Sequence, residues 1–293
     1  FVLLAVDDPY GFASAAQLSL FRRPLPTTNL RFLTLLNWDG RSTPAADPTD
    51  IHLGLKNQSN GATVNHAKAP APIDDATRES IATAEVQPAS AQIWHWAAGS
   101  LSSGGARGGP KALLDQPFAL GANDPSQPGF TSKVFDLYDA WTDDSSWGRR
   151  AIARGQRIFN EKTFTTGAGR TGTCSGCHSL PNVGASSSLR FFDVGVSSPE
   201  RRRSDVPLYT FQNVATGETI QSTDPGRALI TGKWEDMNRF KAPSLRGLAD
   251  RAPYFHDGSA RNLYEVVDHY DRRFAIQLGS DEKVDLMLFL EAL

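Results

Sequence analysis

A chain of 293 residues with 40% apolar and 21% charged side chains has the material for one large or two ordinary globular domains. Its formal net charge of -2, with both signs interspersed, gives no electrostatic basis for binding nucleic acid or an anionic membrane. No apolar run approaches the roughly 20 residues that span a bilayer.

The opening FVLLAV is too short for a signal peptide and lacks its basic start. Residues 1–68 are rich in Pro and turns, with one apolar stretch at 30–38 ending in the turn Trp38-Asp39-Gly40-Arg41. Residues 73–98 read as helical, capped by Asp74 or Asp75 and broken or restarted at Pro88. Residues 99–130, rich in Gly, Ser and Pro, read as a long loop. Composition shifts near Trp147, which sets an expected boundary between domains 1–147 and 148–293.

Beyond it, Ala151, Ile152, Gly155, Ile158 and Phe159 share one helical face. A mid-helix Gly costs about 1 kcal/mol relative to Ala, so Gly155 marks a close helix crossing. Residues 164–173 form a Gly- and Thr-rich loop leading to Cys174, and 181–235 hold short pieces with a small hairpin at 206–220. One helix starts near Asn262 and the last at Ser280, a good N-cap followed by Asp281 and Glu282 at the positive end of the dipole. The expected fold class is mainly α with long loops.

Both cysteines of the chain sit in Cys174-Ser175-Gly176-Cys177-His178. CxxCH is the attachment pattern of haem c: two thiols three residues apart reach the two vinyl groups of one porphyrin, and the adjacent His meets the iron. A zinc site needs two further ligands, and no second Cys pair exists. A redox dithiol has no use for the following His. Covalent haem c on Cys174 and Cys177, with His178 as iron ligand, is therefore expected. Such attachment takes place outside the bacterial cytoplasmic membrane, which implies a periplasmic or otherwise exported protein.

Candidates for the opposite axial position are Met237, His256, His269, Tyr270 and Met287. Leu263, Val266, Val267 and Tyr270 form one stripe at i, i+3, i+4, i+7, which buries Tyr270 and turns His269 towards solvent. Tyr270 then reads as a core aromatic or as a ligand. Met237 lies in a polar stretch, and Met287 among core residues. Arg246 suits a haem propionate, because a fixed guanidinium matches a carboxylate with two prongs; a surface ion pair is the alternative. Arg201-Arg202-Arg203 reads as a solvated loop, with a propionate or an acidic partner as the other readings.

The segments Phe240-Lys241-Ala242-Pro243-Ser244-Leu245-Arg246-Gly247, Ala252-Pro253-Tyr254-Phe255-His256-Asp257-Gly258-Ser259 and Leu263-Tyr264-Glu265-Val266-Val267 resemble the C-terminal haem domain of the bacterial dihaem cytochrome c peroxidases and their relative MauG. The resemblance covers residues 148–293 and implies cytochrome c-like haem domains. Fourteen residues beyond the His of the YFHDG motif the peroxidases carry a methionine that ligates the electron-transfer haem. MauG-type relatives carry a tyrosine there. This chain has Tyr270, which the resemblance makes the leading sixth ligand, with Met237 the alternative.

Pro26-Thr27 through Asn29, then Trp38-Asp39-Gly40-Arg41, resemble the part of the first domain that follows the peroxidatic haem. A first CxxCH and a second haem are expected upstream of residue 1, with loss of the first haem as the other reading. The resemblance makes Trp38 an electron relay between haems, with a buried aromatic as the other reading. It places His66 loosely near the active haem as a catalytic candidate, with a surface histidine as the alternative. Calcium is expected as an option through carbonyls at Arg251 and Pro253, although the completing Asn has no match near Arg23.

The implied function is periplasmic haem redox chemistry of the peroxidase/MauG type. Its partners would be a small redox protein as donor or acceptor, and peroxide, oxygen or an organic substrate. No nucleic acid and no membrane span are expected. The rival readings are a non-catalytic electron-transfer cytochrome, alone or in a larger complex, and oxygenase chemistry like that of rubber-cleaving relatives.

Overall fold

The computed structural model describes every residue except 13, 19, 45–46, 48–49, 118–120 and 167–168. Helix covers about 35% of the chain, and the other described residues form three small sheets and long loops. Among the described residues no helix is long and apolar enough to cross a membrane.

The principal contact is the crossing of α4 (Trp147–Glu161) and α8 (Ser280–Glu291). Gly155 makes it possible: a Cβ there would lie 2.0 Å from the Asp285 carbonyl oxygen and 2.7 Å from the Phe289 Cβ. Ile152, Phe159, Leu286 and Phe289 fill the crossing, and Leu263 and Val267 of α7 (Leu263–Phe274) close it. The same core takes in Leu101, Phe135, Tyr138 and Trp141. A second core joins Leu30, Phe32, Leu36 and Leu55 to Leu180 and Val183. Both cores therefore draw on residues from either side of Trp147. Segments with so little regular structure bury their apolar side chains only against distant parts of the chain.

The turn-rich reading of residues 1–68 misses α1 (Ile51–Gly61), whose N-cap Asp50 accepts from the Leu53 N–H at 2.7 Å. Only Gly54 and Leu55 of this helix are buried, so its periodicity is faint. A π-helical turn, Ala62–His66, follows. α2 (Asp75–Glu85) starts where Asp74 accepts from the Thr77 N–H at 2.8 Å, and it stops short of Pro88. The expected helix thus ends early, and the chain runs instead into a small hairpin of β2 (Trp94–His95) and β3 (Gly99–Ser100). The expected loop at 99–130, part of which lies outside the described residues, contains the short helix α3 (Gly109–Leu114).

A second hairpin, β4 (Phe164–Thr165) with β5 (Thr171–Gly172), precedes the one-turn helix α5 (Cys174–Cys177). The part of the 164–173 loop at 167–168 lies outside the described residues. β6 (Leu208–Gln212) and β7 (Thr219–Ser222) form the hairpin expected at 206–220. The opening residues, read as part of a turn-rich stretch, are β1 (Val2–Asp7), which pairs antiparallel with β6. Between this sheet and α7 lies the short helix α6 (Ala228–Thr231). At α8 the cap falls one residue before Ser280, where the Gly279 N–H donates to the Glu282 carboxylate at 2.9 Å.

Candidate haem-attachment site

Helix α5 is pinned against α4 by buried polar bonds. Ser175, fully buried, donates to the Asn160 carbonyl at 3.4 Å. The Asn160 side chain in turn accepts from the Val134 and Phe135 N–H groups, each at 3.1 Å, and donates to the Phe135 carbonyl at 2.7 Å. Cys174 and Cys177 are unlinked and half-buried on this turn. Burial pushes the Cys174 thiol up to about 12 and the Cys177 thiol up to about 11. Both stay protonated at neutral pH, unlike the thiolates that attack disulfides. Among the described residues no group of three His, Cys, Asp or Glu side chains is placed to hold a metal ion.

His178 ends the turn. Its Nδ1–H donates to the Gly184 carbonyl at 2.6 Å, which leaves Nε2 with the free lone pair that an iron ligand needs. Burial holds its pKa below the ordinary value, so the ring is neutral. Gly184 is at φ +70, and a Cβ there would lie 2.8 Å from Phe135 and 3.0 Å from Leu245. The Phe159 ring lies 6.2 Å from the imidazole.

Tyr270 projects from α7 towards the same thiols. Burial, then Cys177 and Cys174, push its phenol above the ordinary value. It belongs to an apolar wall: Phe274 stacks at 6.2 Å, Phe255 lies at 6.1 Å, and Phe164 stacks on Phe274 at 4.9 Å. His269 is not turned to solvent as its helical phase suggested. It is 5% exposed, donates from Nε2 to the Val194 carbonyl at 2.9 Å, and accepts at Nδ1 from Arg201 at 2.9 Å. The segment carrying Val194 and Arg201 covers what would have been the solvent face of α7, and both ring nitrogens are taken. Arg201 is likewise half-buried, over the Phe255 ring at 5.4 Å, rather than solvated.

Arg246 is fully buried, which removes the surface ion pair as an explanation. Its Nη2 donates to the Gly109 carbonyl at 3.2 Å, while Nε and Nη1 have no partner in the protein. Burial lowers its pKa to about 10, so it remains charged. A buried guanidinium with two free donors matches a carboxylate such as a haem propionate. Together with the freed Nε2 of His178, it shows that the residues present suit a covalent haem.

Met237 is packed in a different cluster, with Tyr209, Phe211 and Ala228, and is not gathered with Tyr270. Met287 packs against the main core. His66 is exposed at the end of the π-helical turn. At the position considered for calcium, the Arg23 side chain lies against Gly258 beside Pro253, and its charge opposes that of Arg251.

Trp38 stands in a second buried cluster. Its indole N–H donates to the Arg23 carbonyl at 2.7 Å, and its own carbonyl accepts from the Lys241 N–H at 2.9 Å. His256 meets it edge-on at 6.3 Å and stacks on Phe240 at 4.1 Å. Arg22 bridges two buried carboxylates, Asp39 at 2.5 Å and Asp224 at 2.6 Å. Phe255 and His256 face opposite clusters, and Phe255 takes a left-handed φ of +68. Sequence reasoning passed over Gly184, Arg22, Asp224 and Lys241. Lys241 lies within the Phe240–Gly247 segment, but nothing in its spacing marked it for burial.

No protein-family profile matches the chain. Its curated relatives are cytochrome c peroxidases and MauG proteins, the dihaem peroxidase family. Cytochrome-c peroxidase IdrP1 of Pseudomonas sp. (strain SCT) is 31% identical over 160 residues, 48% of this chain and 39% of that protein. Cytochrome c551 peroxidase of Nitrosomonas europaea is 33% identical over 121 residues, 41% of this chain and 30% of that protein. Methylamine utilization protein MauG of Methylophilus methylotrophus is 28% identical over 169 residues, 53% and 41%. The matches thus span well under half the length of these relatives. A solved MauG-like protein associated with microbial copper homeostasis aligns with 93% of this chain and 73% of its own at 18% identity and a TM-score of 0.47.

Proposed function

We propose that this chain is an exported c-type haem redox protein of the dihaem peroxidase/MauG kind. Cys174 and Cys177 would hold the haem through thioethers, His178 Nε2 would be an iron ligand, and Tyr270, which projects towards the same thiols, would be the second. When bound, the haem supplies an iron that exchanges single electrons at a potential set by its axial ligands. The protein's own work is positional. Gly184 fixes the imidazole tautomer, Arg246 neutralises a propionate, and the Phe159, Phe255 and Phe274 rings keep water from the site. Trp38 relays electrons between this haem and a second, peroxide- or oxygen-reacting haem carried by a preceding segment. A small redox protein serves as donor. Residues 148–293 form the cytochrome c-like domain, completed by the core residues that 1–147 contribute.

The observation that carries this reading is the His178–Gly184 bond beside two unlinked cysteines on one helical turn. A second reading, an electron-transfer cytochrome without turnover, is favoured by the single CxxCH in this sequence. The test is intact mass of the natural gene product, isolated from its exported fraction, together with peroxide turnover. Two covalent haems and turnover support the peroxidase reading. One haem without turnover supports the cytochrome, and none removes both.

A further inference from the structure

We propose that His256 is the proton site that gates the Trp38 relay: a proton on His256 and a positive hole on Trp38 exclude one another. The inference deepens the relay reading and rests on it.

His256 is 2% exposed, and neither of its ring nitrogens has a hydrogen-bond partner. Such a group is costly unless it has a use for its unpaired sites. Its Nε2 stands 3.6 Å from Asp224 Oδ2, slightly beyond hydrogen-bond reach, so gaining a proton would draw the two together. The charged groups acting on it are Asp224, Asp257, Arg22 and Arg201, while Phe240 and Trp38, packed against its ring, are uncharged. Asp224 cannot simply swing across. Arg22 holds both its oxygens, at 2.6 and 2.7 Å, and the Gly226 N–H donates to Oδ1 at 2.8 Å. Burial, the largest influence, holds the imidazole below its ordinary pKa, so it is neutral at pH 7 and charged only in acid.

Trp38 supplies the other half. Its indole N–H donates to a backbone carbonyl, which cannot take up a proton. When one electron leaves the indole for an oxidant, no bond is made or broken. The proton stays on nitrogen, and the ring carries a full positive charge. A protonated His256 would stand 6.3 Å away, ring centre to ring centre. Arg22 and Arg41 together already offset the charges of Asp224 and Asp39. Repulsion between two unit charges at that distance in a protein interior suppresses the second by about tenfold to a hundredfold. Acid would therefore close the relay and neutral pH open it.

The test photo-oxidises the full-length, haem-loaded protein with a ruthenium flash-quench oxidant and reads the indole cation radical by transient absorption. The Trp38 signal is the part lost in Trp38→Phe. Its yield should fall at least about tenfold as pH drops from 7 through the His256 titration, which imidazole NMR reads independently on the wild-type protein. The fall should vanish in His256→Gln. A wild-type yield that does not follow the NMR titration overturns the gate, as does an unchanged pH profile in His256→Gln. If Trp38→Phe leaves electron delivery to the His178 haem unchanged, the relay reading itself falls. If it slows delivery while the radical yield ignores His256, only the gate falls.

Discussion

His178 Nδ1 and the Gly184 carbonyl oxygen stand 2.6 Å apart, and this bond decides which imidazole nitrogen keeps a free lone pair. Gly184 gives its carbonyl that direction only because it has no side chain: its φ is +70, and a Cβ would be 2.8 Å from Phe135. Gly184→Ala combines left-handed strain with overpacking, and should cost about 2–4 kcal/mol in urea denaturation. It should also disturb the His178–iron band in resonance Raman. A variant with wild-type stability and spectrum would show that the loop reshapes freely and that the bond is incidental.

Tyr270→Phe keeps the aromatic stacking with Phe274 and Phe255 and removes only the hydroxyl. Stability should change by less than about 1.5 kcal/mol. The ferric absorption and EPR spectra of the haem-loaded protein should change, and the haem potential should rise with loss of an anionic oxygen donor. Identical spectra would make Tyr270 a packing residue.

Gly155→Ala inserts a methyl group 2.0 Å from the Asp285 carbonyl oxygen. Better helix propensity offers at most about 1 kcal/mol in return. The net expectation is a loss of about 2–3 kcal/mol, read as a lower thermal midpoint. Gain of stability would mean that α4 and α8 can move apart at little cost.

Lys241 is 5% exposed, and its Nζ donates to the Leu35 carbonyl at 2.7 Å. Burial lowers its pKa from 10.5 to about 7. The unfolded chain therefore holds this proton more tightly than the folded one. The folded state is penalised at pH 7 and below, and the penalty fades as pH rises towards 10.5. Lys241→Met removes the penalty but leaves the Leu35 carbonyl unpaired, which costs about 1–3 kcal/mol. It should stabilise the protein by about 2 kcal/mol near pH 7 and lose that advantage by about pH 10. Denaturation at the two pH values checks both the size and the sign.

The local features that could be read from the residues alone were those with a strict spacing. Cys174, Cys177 and His178 stood out because haem attachment would need that interval, and Gly155 because a glycine amid a helical stripe has few other uses. α1 escaped because Gly54 and Leu55 are its only buried positions, too few to mark a period. β1 escaped because its partner is β6, some 200 residues along the chain. The phase of α7 identified the stripe holding Tyr270 but misjudged His269, since periodicity cannot foresee a loop laid over the far side of a helix. The Trp38 cluster lay furthest from reach: Arg22, Asp39 and Asp224 come from separate loops and have meaning only as an assembled set.

The α4–α8 crossing also imposes a timetable. The Arg154–Asp285 pair that flanks it joins positions 131 residues apart, with Cys174 and Cys177 lying between them in the chain. As the polypeptide emerges N-terminus first, both thiols appear well before the helix that completes the core. The hundred or so residues from His178 to α8 thus separate the α5 turn from the helix that closes the core around it. Under the haem reading proposed above, joining the two thiols to the cofactor before α8 docks spares the chain from disturbing that core afterwards.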